Sequence, residues 1–462
     1  MLRNRTGKRP SYLQPVDAPR DQAKPHILFD ISRLMWRATQ FSPTGIDRVE
    51  LAYARHLIDT AHDRLSFIGW WGRFGLLADA DATAMVAALH ALWSGSAVDP
   101  ATGGTAGAIA RRLRVQALLR GEAAVHARLA QIDGPVIYLL VSHHRLDRPA
   151  PLQRLKARGV RCVLLIHDLI PIEHPEHVLP GHEQLHRRRM DTVARLADHV
   201  IVNSADTGAD LRRHLAVLGA AVPTIVAPLG TDLRRSDAPA AAAAQRPYFI
   251  CVSTIEQRKN HGLLLEVWRR LAAMLGARAP GLVLVGRRGW RSSRVTDAIN
   301  ASPALQSLVQ EFNRLPDAAV SRLLGGAHAL LYPSFAEGYG LPVAEALALG
   351  VPVLCSDLPA LREVGGDVPE YLDPNDALGW LHMVLDYAQV DSHVRQAQLG
   401  RRTRWHPPRW EDHFTIVQPL LDGTEFSGAS ASGSPAPAGL DSRAEYAPHT
   451  RGEKGRGAAI RE

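Results

Sequence analysis

Cysteine is scarce in this chain: 462 residues contain only Cys162, Cys251 and Cys355. No two of them form a Cys-x-x-Cys and an odd number cannot all pair, so no disulfide framework is expected. Each sits inside an apolar run, which reads as a buried thiol in a reducing compartment. Aromatic residues make up 6% and nowhere interleave with basic ones in the manner of an RNA-binding surface, so nucleic acid is not an expected partner. No apolar run approaches the roughly 18 residues needed to span a bilayer. The basic opening "MLRNRTGKRP" is not followed by the hydrophobic segment of a secretory signal. A cytoplasmic protein is expected, free or peripheral on the inner face of the cytoplasmic membrane.

What the chain has in surplus is positive charge, a formal +8. It is scattered through runs such as "RRLR" (111–114) and "RRR" (187–189), a pattern suited to an anionic small ligand or an acidic membrane surface. Hydrophobic residues make up 46%, enough for two or three domains with their own cores. After a polar lead (1–25), short apolar runs recur: "HILFDIS" (26–32), "RLSFIGWW", "PVIYLLV" (135–141), "RCVLLIH" (161–167), "HVIVN" (199–203) and "PTIVAPL" (223–229). Helical or loop segments separate them, which predicts parallel βαβ units covered on both faces. Pro and low-complexity Ala then mark a linker over 236–247. The alternation restarts with "YFICVS" (248–253), "GLVLVG" (281–286), "AHALLYPS" and "VPVLCSD". The expected fold is α/β, with two doubly wound domains in tandem over 26–235 and 248–390. A helical segment (391–422) is expected to return to the first domain, and a Gly/Ser/Pro/Ala-rich tail (423–462) has the composition of disorder. "AIARRLRVQALLR" reads either as a basic amphipathic helix touching anionic lipid or as a solvated helix packed on its own domain.

One stretch carries chemistry. "PSFAEGYGLPVAEALALGVPV" (333–353) places Glu337 and Glu345 on either side of a Gly-Tyr-Gly turn. A strand is predicted to end near Ser334, Pro342 suits the first position of a helix, and Gly350 suits its left-handed stop. The turn Gly338-Tyr339-Gly340-Leu341 thus joins a strand's carboxyl end to a helix start, where free N–H groups and the helix dipole favour an anion. Glycines permit close approach of a ligand. Glu345 is expected in the first helical turn and Glu337 on the strand side, and carboxylates accept hydrogen bonds from sugar hydroxyls. The pattern suits a sugar nucleotide. Taken alone, the two glutamates equally allow a dipole-compensating Glu345 and a solvated Glu337.

The whole arrangement resembles the Glu-x7-Glu motif of retaining family 4 glycosyltransferases, "PS-x-x-EGFGLP-x-x-EA-x-A-x-G-x-PV", with Tyr339 where Phe is common. "VSTIEQRKNH" (252–261) is similar to that family's "VGTLEPRKN", and "LVLVGRRGW" (282–290), "IHDLIPIEHPE" (166–176), "VNSADT" (202–207) and "APLGTD" (227–232) also fit. "FDISRL…TGIDRVE" (29–50) resembles an N-terminal pattern of bacterial polysaccharide-assembly members. The resemblance covers about residues 26–420. It implies a GT-B fold, two Rossmann-like domains facing across a cleft, with the donor held by the second. It also implies roles for individual residues. Glu345 would bind the nucleotide ribose and Glu337 would stand near the transferred sugar. Gly338, Tyr339, Gly340 and Leu341 would meet sugar and diphosphate, and Arg258 and Lys259 the diphosphate. His167, with Asp168 beside it, would meet the donor sugar, and Gly45 would belong to the loop closing on diphosphate and acceptor. His143 and His144 are candidates for the acceptor side. Where many relatives carry a further arginine this chain has Ser253-Thr254, and the "TGID" loop lacks the GxGxxG of a dinucleotide site.

The expected activity is retaining transfer of a sugar, mannose from GDP-mannose as the best match, to a lipid-linked bacterial glycan. The resemblance implies front-face substitution with neither metal nor cofactor. The alternatives are a GT-B sugar-nucleotide epimerase or hydrolase, told apart by donor turnover without acceptor, and a catalytically silent GT-B scaffold in a polysaccharide-assembly complex.

Overall fold

The computed structural model describes residues 23–96, 100–232 and 246–424. The lead, the linker and the tail expected from composition therefore fall outside the described residues, apart from a few positions at their edges. Among the described residues, β1 (His26–Asp30), β2 (Leu65–Trp71), β3 (Arg73–Leu76), β4 (Val136–Leu140), β5 (Arg161–Ile166), β6 (His199–Val202) and β7 (Thr224–Val226) form one sheet. Its order is β3-β2-β1-β4-β5-β6-β7. β1 and β4 are buried along their whole length, as continuous apolar strands covered on both faces must be.

The pairing is parallel except for β2 with β3, an antiparallel edge that the periodicity did not predict. In "RLSFIGWWGRFGLL" Arg73 alone breaks the apolar run at the reversal, which falls at Gly72 in the left-handed region (φ 68°). Gly75 on β3 serves a close contact: a Cβ there would lie 2.4 Å from the Ala117 carbonyl oxygen. The helical segment Pro100–Leu129 packs flush on that edge, burying Ala106, Ala110, Leu113 and Ala117, one helical stripe. One stripe of the "AIARRLRVQALLR" run is thus packed on its own domain, while its Val115, Leu118 and Leu119 stay exposed.

The second sheet contains β8 (Tyr248–Val252), β9 (Gly281–Val285), β10 (Val309–Phe312), β11 (Leu330–Tyr332), β12 (Val353–Ser356) and β13 (Glu370–Leu372). Its order is β10-β9-β8-β11-β12-β13, parallel throughout. Both domains are therefore Rossmann-like, and they face each other across a cleft in the GT-B manner. In such sheets the strand order reverses at one point, and ligands collect in the crevice outside the carboxyl ends there. That point lies between β1 and β4 in the first sheet and between β8 and β11 in the second. The "RKN" and "EGYG" segments follow β8 and β11 directly.

The C-terminal helices divide differently from the expected 391–422 unit. His393–Arg402 stays with the second sheet: Gln398 bonds both the N–H (2.7 Å) and the C=O (2.8 Å) of Val353, and Arg402 Nε donates to Leu347 O. Trp410–Leu421 crosses back to the first domain, where His413 Nε2 and Tyr53 Oη lie 2.7 Å apart. At the crossing, a Cβ on Gly230 would lie 2.3 Å from Trp410 N. Among the described residues no helix is long and apolar enough to cross a membrane.

Candidate active site

A cavity of about 420 Å³ lies between the domains, lined from both sides. The first domain contributes Arg33, Thr44, Gly45, Arg48, His167 and Asp168; the second contributes Ser253, Thr254, Arg258, Lys259, Arg287 and the run Glu337–Pro342 with Glu345. The sequence-predicted residues Gly45, His167, Asp168, Arg258, Lys259, Glu337, Gly338, Tyr339, Gly340, Leu341 and Glu345 are thus brought to one place. His143 and His144 do not line this cavity. His143 lies behind it, its Nε2 accepting the backbone N–H of His167 (3.1 Å).

Helix Leu341–Ala348 begins after Gly340, whose φ of 106° only glycine adopts without strain. Pro342 is the second residue of this helix and Glu345 the fifth. Glu345 therefore stands one residue further in than expected, just past the first turn whose free N–H groups an acid would serve. It is buried, and burial pushes its carboxyl up to about 7; the Arg48 guanidinium at 3.8 Å opposes this while Asp317 and Asp232 add to it. Gly350, after the helix, has the left-handed φ (80°) of a stop.

Glu337 has a different environment. Burial alone would raise its carboxyl, but Lys259 and then Arg258 outweigh this and hold it down to about 2. Lys259 Nζ bonds Oε1 and also Tyr332 Oη (2.9 Å); Arg258 stands 3.3 Å from Oε2 and bonds Glu256 (3.0 Å). Glu337 is an ionised carboxylate with both oxygens gripped by cations.

On the first-domain side, His167 Nε2 donates to Val141 O (2.8 Å), which fixes the tautomer. Burial holds the ring down to about 4, so Nδ1 remains an unprotonated acceptor at neutral pH. Thr44 caps helix Gly45–Thr60 in a reciprocal box with Asp47. The same Asp47, fully buried, receives Arg33 Nε (2.7 Å) and Arg37 Nε (2.9 Å).

The domains touch through the motif itself. A Cβ on Gly338 would lie 2.3 Å from His167 O, and the Gly338 carbonyl accepts from Ser204 Oγ (2.8 Å). Tyr339, largely buried, donates its hydroxyl to Leu229 O (2.7 Å), a bond the more common Phe could not make. Arg48 forks onto Asp317 (2.6 and 2.7 Å), and Glu363 accepts the N–H groups of Ala205 and Asp206 (2.7 and 2.8 Å) at a first-domain helix start.

Reasoning from sequence missed Arg33, Arg48, Arg287 and Asp317. Arg48 and Arg287 lie inside segments that drew attention, "TGIDRVE" and "LVLVGRRGW", but nothing in one dimension says that these arginines face the cleft.

Residues 234–368 match the family model described as glycosyl transferases group 1. That stretch is similar to the group 1 glycosyl transferase domain. It holds the second sheet from β8 to β12 and with it the whole "EGYGLP" site. The chain is also similar to curated relatives from Escherichia coli. It is 35% identical over 149 residues to the O-antigen chain mannosyltransferase B, covering 32% of this chain and 39% of that one. It is 25% identical over 284 residues to the serotype-specific mannosyltransferase WbdA, covering 56% of this chain and 34% of that one. The chain thus spans little more than a third of the length of these relatives. Among solved structures, HepE from Anabaena in complex with UDP superposes with a TM-score of 0.56 at 16% identity, covering 87% of this chain and 99% of that one. That likeness concerns the fold.

Proposed function

We propose that this protein is a retaining glycosyltransferase that moves a sugar, mannose from GDP-mannose as the first candidate, onto a growing lipid-linked bacterial glycan at the cytoplasmic side of the membrane. The mannosyltransferase names of the curated relatives support the sugar, and the two O-antigen and serotype names support a polysaccharide acceptor. The observation that carries the reading is the interdomain cavity that gathers a glycine turn at a helix N-terminus, the Arg258–Lys259 pair, His167 and two glutamates with buried side chains.

In this reading the diphosphate lies against the N–H groups at the start of helix Leu341–Ala348, and the ribose hydroxyls bond Glu345. The bond from the anomeric carbon to the phosphate oxygen breaks as the acceptor hydroxyl oxygen bonds that carbon on the same face. The acceptor's proton passes to the departing phosphate oxygen. Cations and N–H dipoles already in place meet the charge growing on the diphosphate, which is where preorganised electrostatics lower a barrier most. No metal or cofactor is required by this scheme. A glutamate nucleophile needs a free oxygen facing the anomeric carbon, whereas Glu337 has both oxygens held by cations; this supports a holding role that keeps Arg258 and Lys259 in position. Neutral His167 offers an acceptor nitrogen to a donor hydroxyl.

A thermal-shift screen against GDP-, UDP- and ADP-sugars tests the donor, since a ligand bound only to the folded state raises the melting temperature. NMR of the product's anomeric proton tests retention. Stabilisation by none of the three donor classes defeats the reading, and donor turnover that needs no acceptor assigns the site to a hydrolase or epimerase.

A further inference from the structure

The reversal of strand order in the first sheet lies between β1 and β4, so the segments that follow these strands share a crevice. After β1 comes Arg33; after β4 come Ser142, His143, His144 and Arg145. Arg189 reaches the same place from helix His182–Leu196. Arg145, Arg33 and Arg189 act on His144 from these positions: burial pushes its ring down to about 4, the three arginines push the same way and Asp147 opposes.

The charges there do not cancel. Arg33 shares its carboxylate, Asp47, with Arg37. Arg189 and Arg148 share Asp147, each at 4.0 Å. Arg145 has no carboxylate partner among the described residues, and its Nε is buried without a hydrogen-bond partner, as is Nε of Arg189. Arg145 also holds a left-handed backbone (φ 62°) rare for a residue with a side chain. Each shared carboxylate leaves one positive charge over and Arg145 adds another, against one further carboxylate, Asp168, that acts on Arg189. Desolvated guanidinium N–H groups lie at this strand-end crevice, those of Arg145 over the Trp70 ring (6.0 Å), and an oxyanion is what satisfies both charge and donors.

We propose that this crevice is an oxyanion subsite for the acceptor: a phosphate, diphosphate or carboxylate group of the substrate is held by Arg145, Arg189 and Arg33. Arg33 lines the donor cavity as well, so the subsite opens onto the place where the sugar is transferred. The inference rests on the glycosyltransferase reading for the word acceptor, and on local charge and burial for the anion.

The test keeps the two apart. The full chain is saturated with GDP, or with UDP if that stabilises it more, so that the donor site is filled. Inorganic phosphate, pyrophosphate and glucuronate are then titrated by calorimetry against a chloride blank of equal ionic strength. At least one of them is expected to bind at a single site. Arg145→Gln and Arg189→Gln should each weaken that binding tenfold or more, Arg145→Lys should recover part of it, and nucleotide affinity should stay unchanged in all three. Comparing the phosphate and glucuronate arms tells which oxyanion the subsite takes. The proposal is overturned if nucleotide binds but none of the three anions does, if anion binding survives both glutamine variants, or if Glu345→Ala abolishes it. Anion binding without any nucleotide binding would instead sink the glycosyltransferase reading and leave the subsite standing.

Discussion

At the scale of single residues, the cations of the cleft differ in how far they are already committed. Arg258 and Lys259 are engaged by Glu337 and Glu256, and Arg48 by Asp317 and Glu345. These groups come close to neutrality before any ligand arrives. Arg287 is half-buried in the cavity wall and has no carboxylate partner among the described residues; burial pushes its guanidinium down, and Arg37 and Arg33 push it further. It extends from the end of β9, next to the Ser253-Thr254 stretch that lacks the arginine many relatives carry. A diphosphate should therefore draw on Arg287 more than its place in the sequence suggests. Arg287→Gln is expected to weaken nucleoside diphosphate binding 10- to 100-fold, since a hydrogen bond to a charged group contributes about 1.5–3 kcal/mol. Affinity for the bare nucleoside should not change, and calorimetry with GDP and guanosine reads the difference. Glu345 carries a second expectation. Its carboxyl is raised from 4.5 to about 7, so the ligand-free fold binds a proton that the unfolded chain releases, and this contribution to stability is lost as pH rises from about 4.5 to 7. Ribose hydroxyls bond the ionised form, so nucleotide affinity should climb as pH rises towards about 7 and level off above it, with a proton released on binding. Glu345→Gln should flatten that profile; an unchanged slope would place the proton elsewhere.

At the scale of elements, legibility followed contiguity. Glu337, Gly340, Pro342 and Glu345 sit within nine residues on one strand-turn-helix, so their spacing alone stated their neighbourhood. Most strands of both sheets were readable for the same reason, as short apolar runs, but the half-exposed edge strand β13, "EYL", was not. The antiparallel β3 was not, because its turn is a single glycine inside a run that only Arg73 breaks. Nor was Arg48–Asp317 readable: its partners are 269 residues apart and meet only when the two domains close. Gly338 shows where the sequence argument had the right residue but only part of the reason. Its missing side chain was read as room for a ligand, yet the Cβ position is filled by the His167 carbonyl of the other domain. Gly338→Ala is thus expected to wedge the cleft open. Small-angle scattering should show a larger radius of gyration, and transfer should fall at least tenfold, while far-UV circular dichroism stays that of the parent. Unchanged scattering would mean that the strand end of β5 yields instead.

At the scale of the whole molecule, closure draws on polar contacts set beside an apolar seam, since one buried cluster holds residues of both domains, Leu229 and Leu341 among them. Trp410–Leu421 is a strap that buries Phe414, Val417 and Leu420, with the Phe414 ring against Tyr53 and His56 of the first domain. The cleft-side contacts are different in kind: a guanidinium fork, a tyrosine hydroxyl and a carboxylate on helix N–H groups. Each involves partly buried polar partners, whose net contribution is small because desolvation offsets most of the attraction. That balance suits a cleft that must admit and release a nucleotide sugar. It also makes the Arg48–Asp317 pair the place to shift the equilibrium. Arg48→Met leaves Asp317, already raised by burial, without its cation and beside Glu345, which is also buried and acidic. The open form should gain, with a larger radius of gyration in the ligand-free protein. Apparent nucleotide affinity should fall by the fraction of molecules still able to close. Adding Asp317→Asn removes the stranded charge, so the double variant should close better than Arg48→Met alone, with a coupling of about 1–3 kcal/mol in the double-mutant cycle. If the two effects simply add, the fork contributes no closure energy, and the burden falls on the contacts of Tyr339 and Glu363.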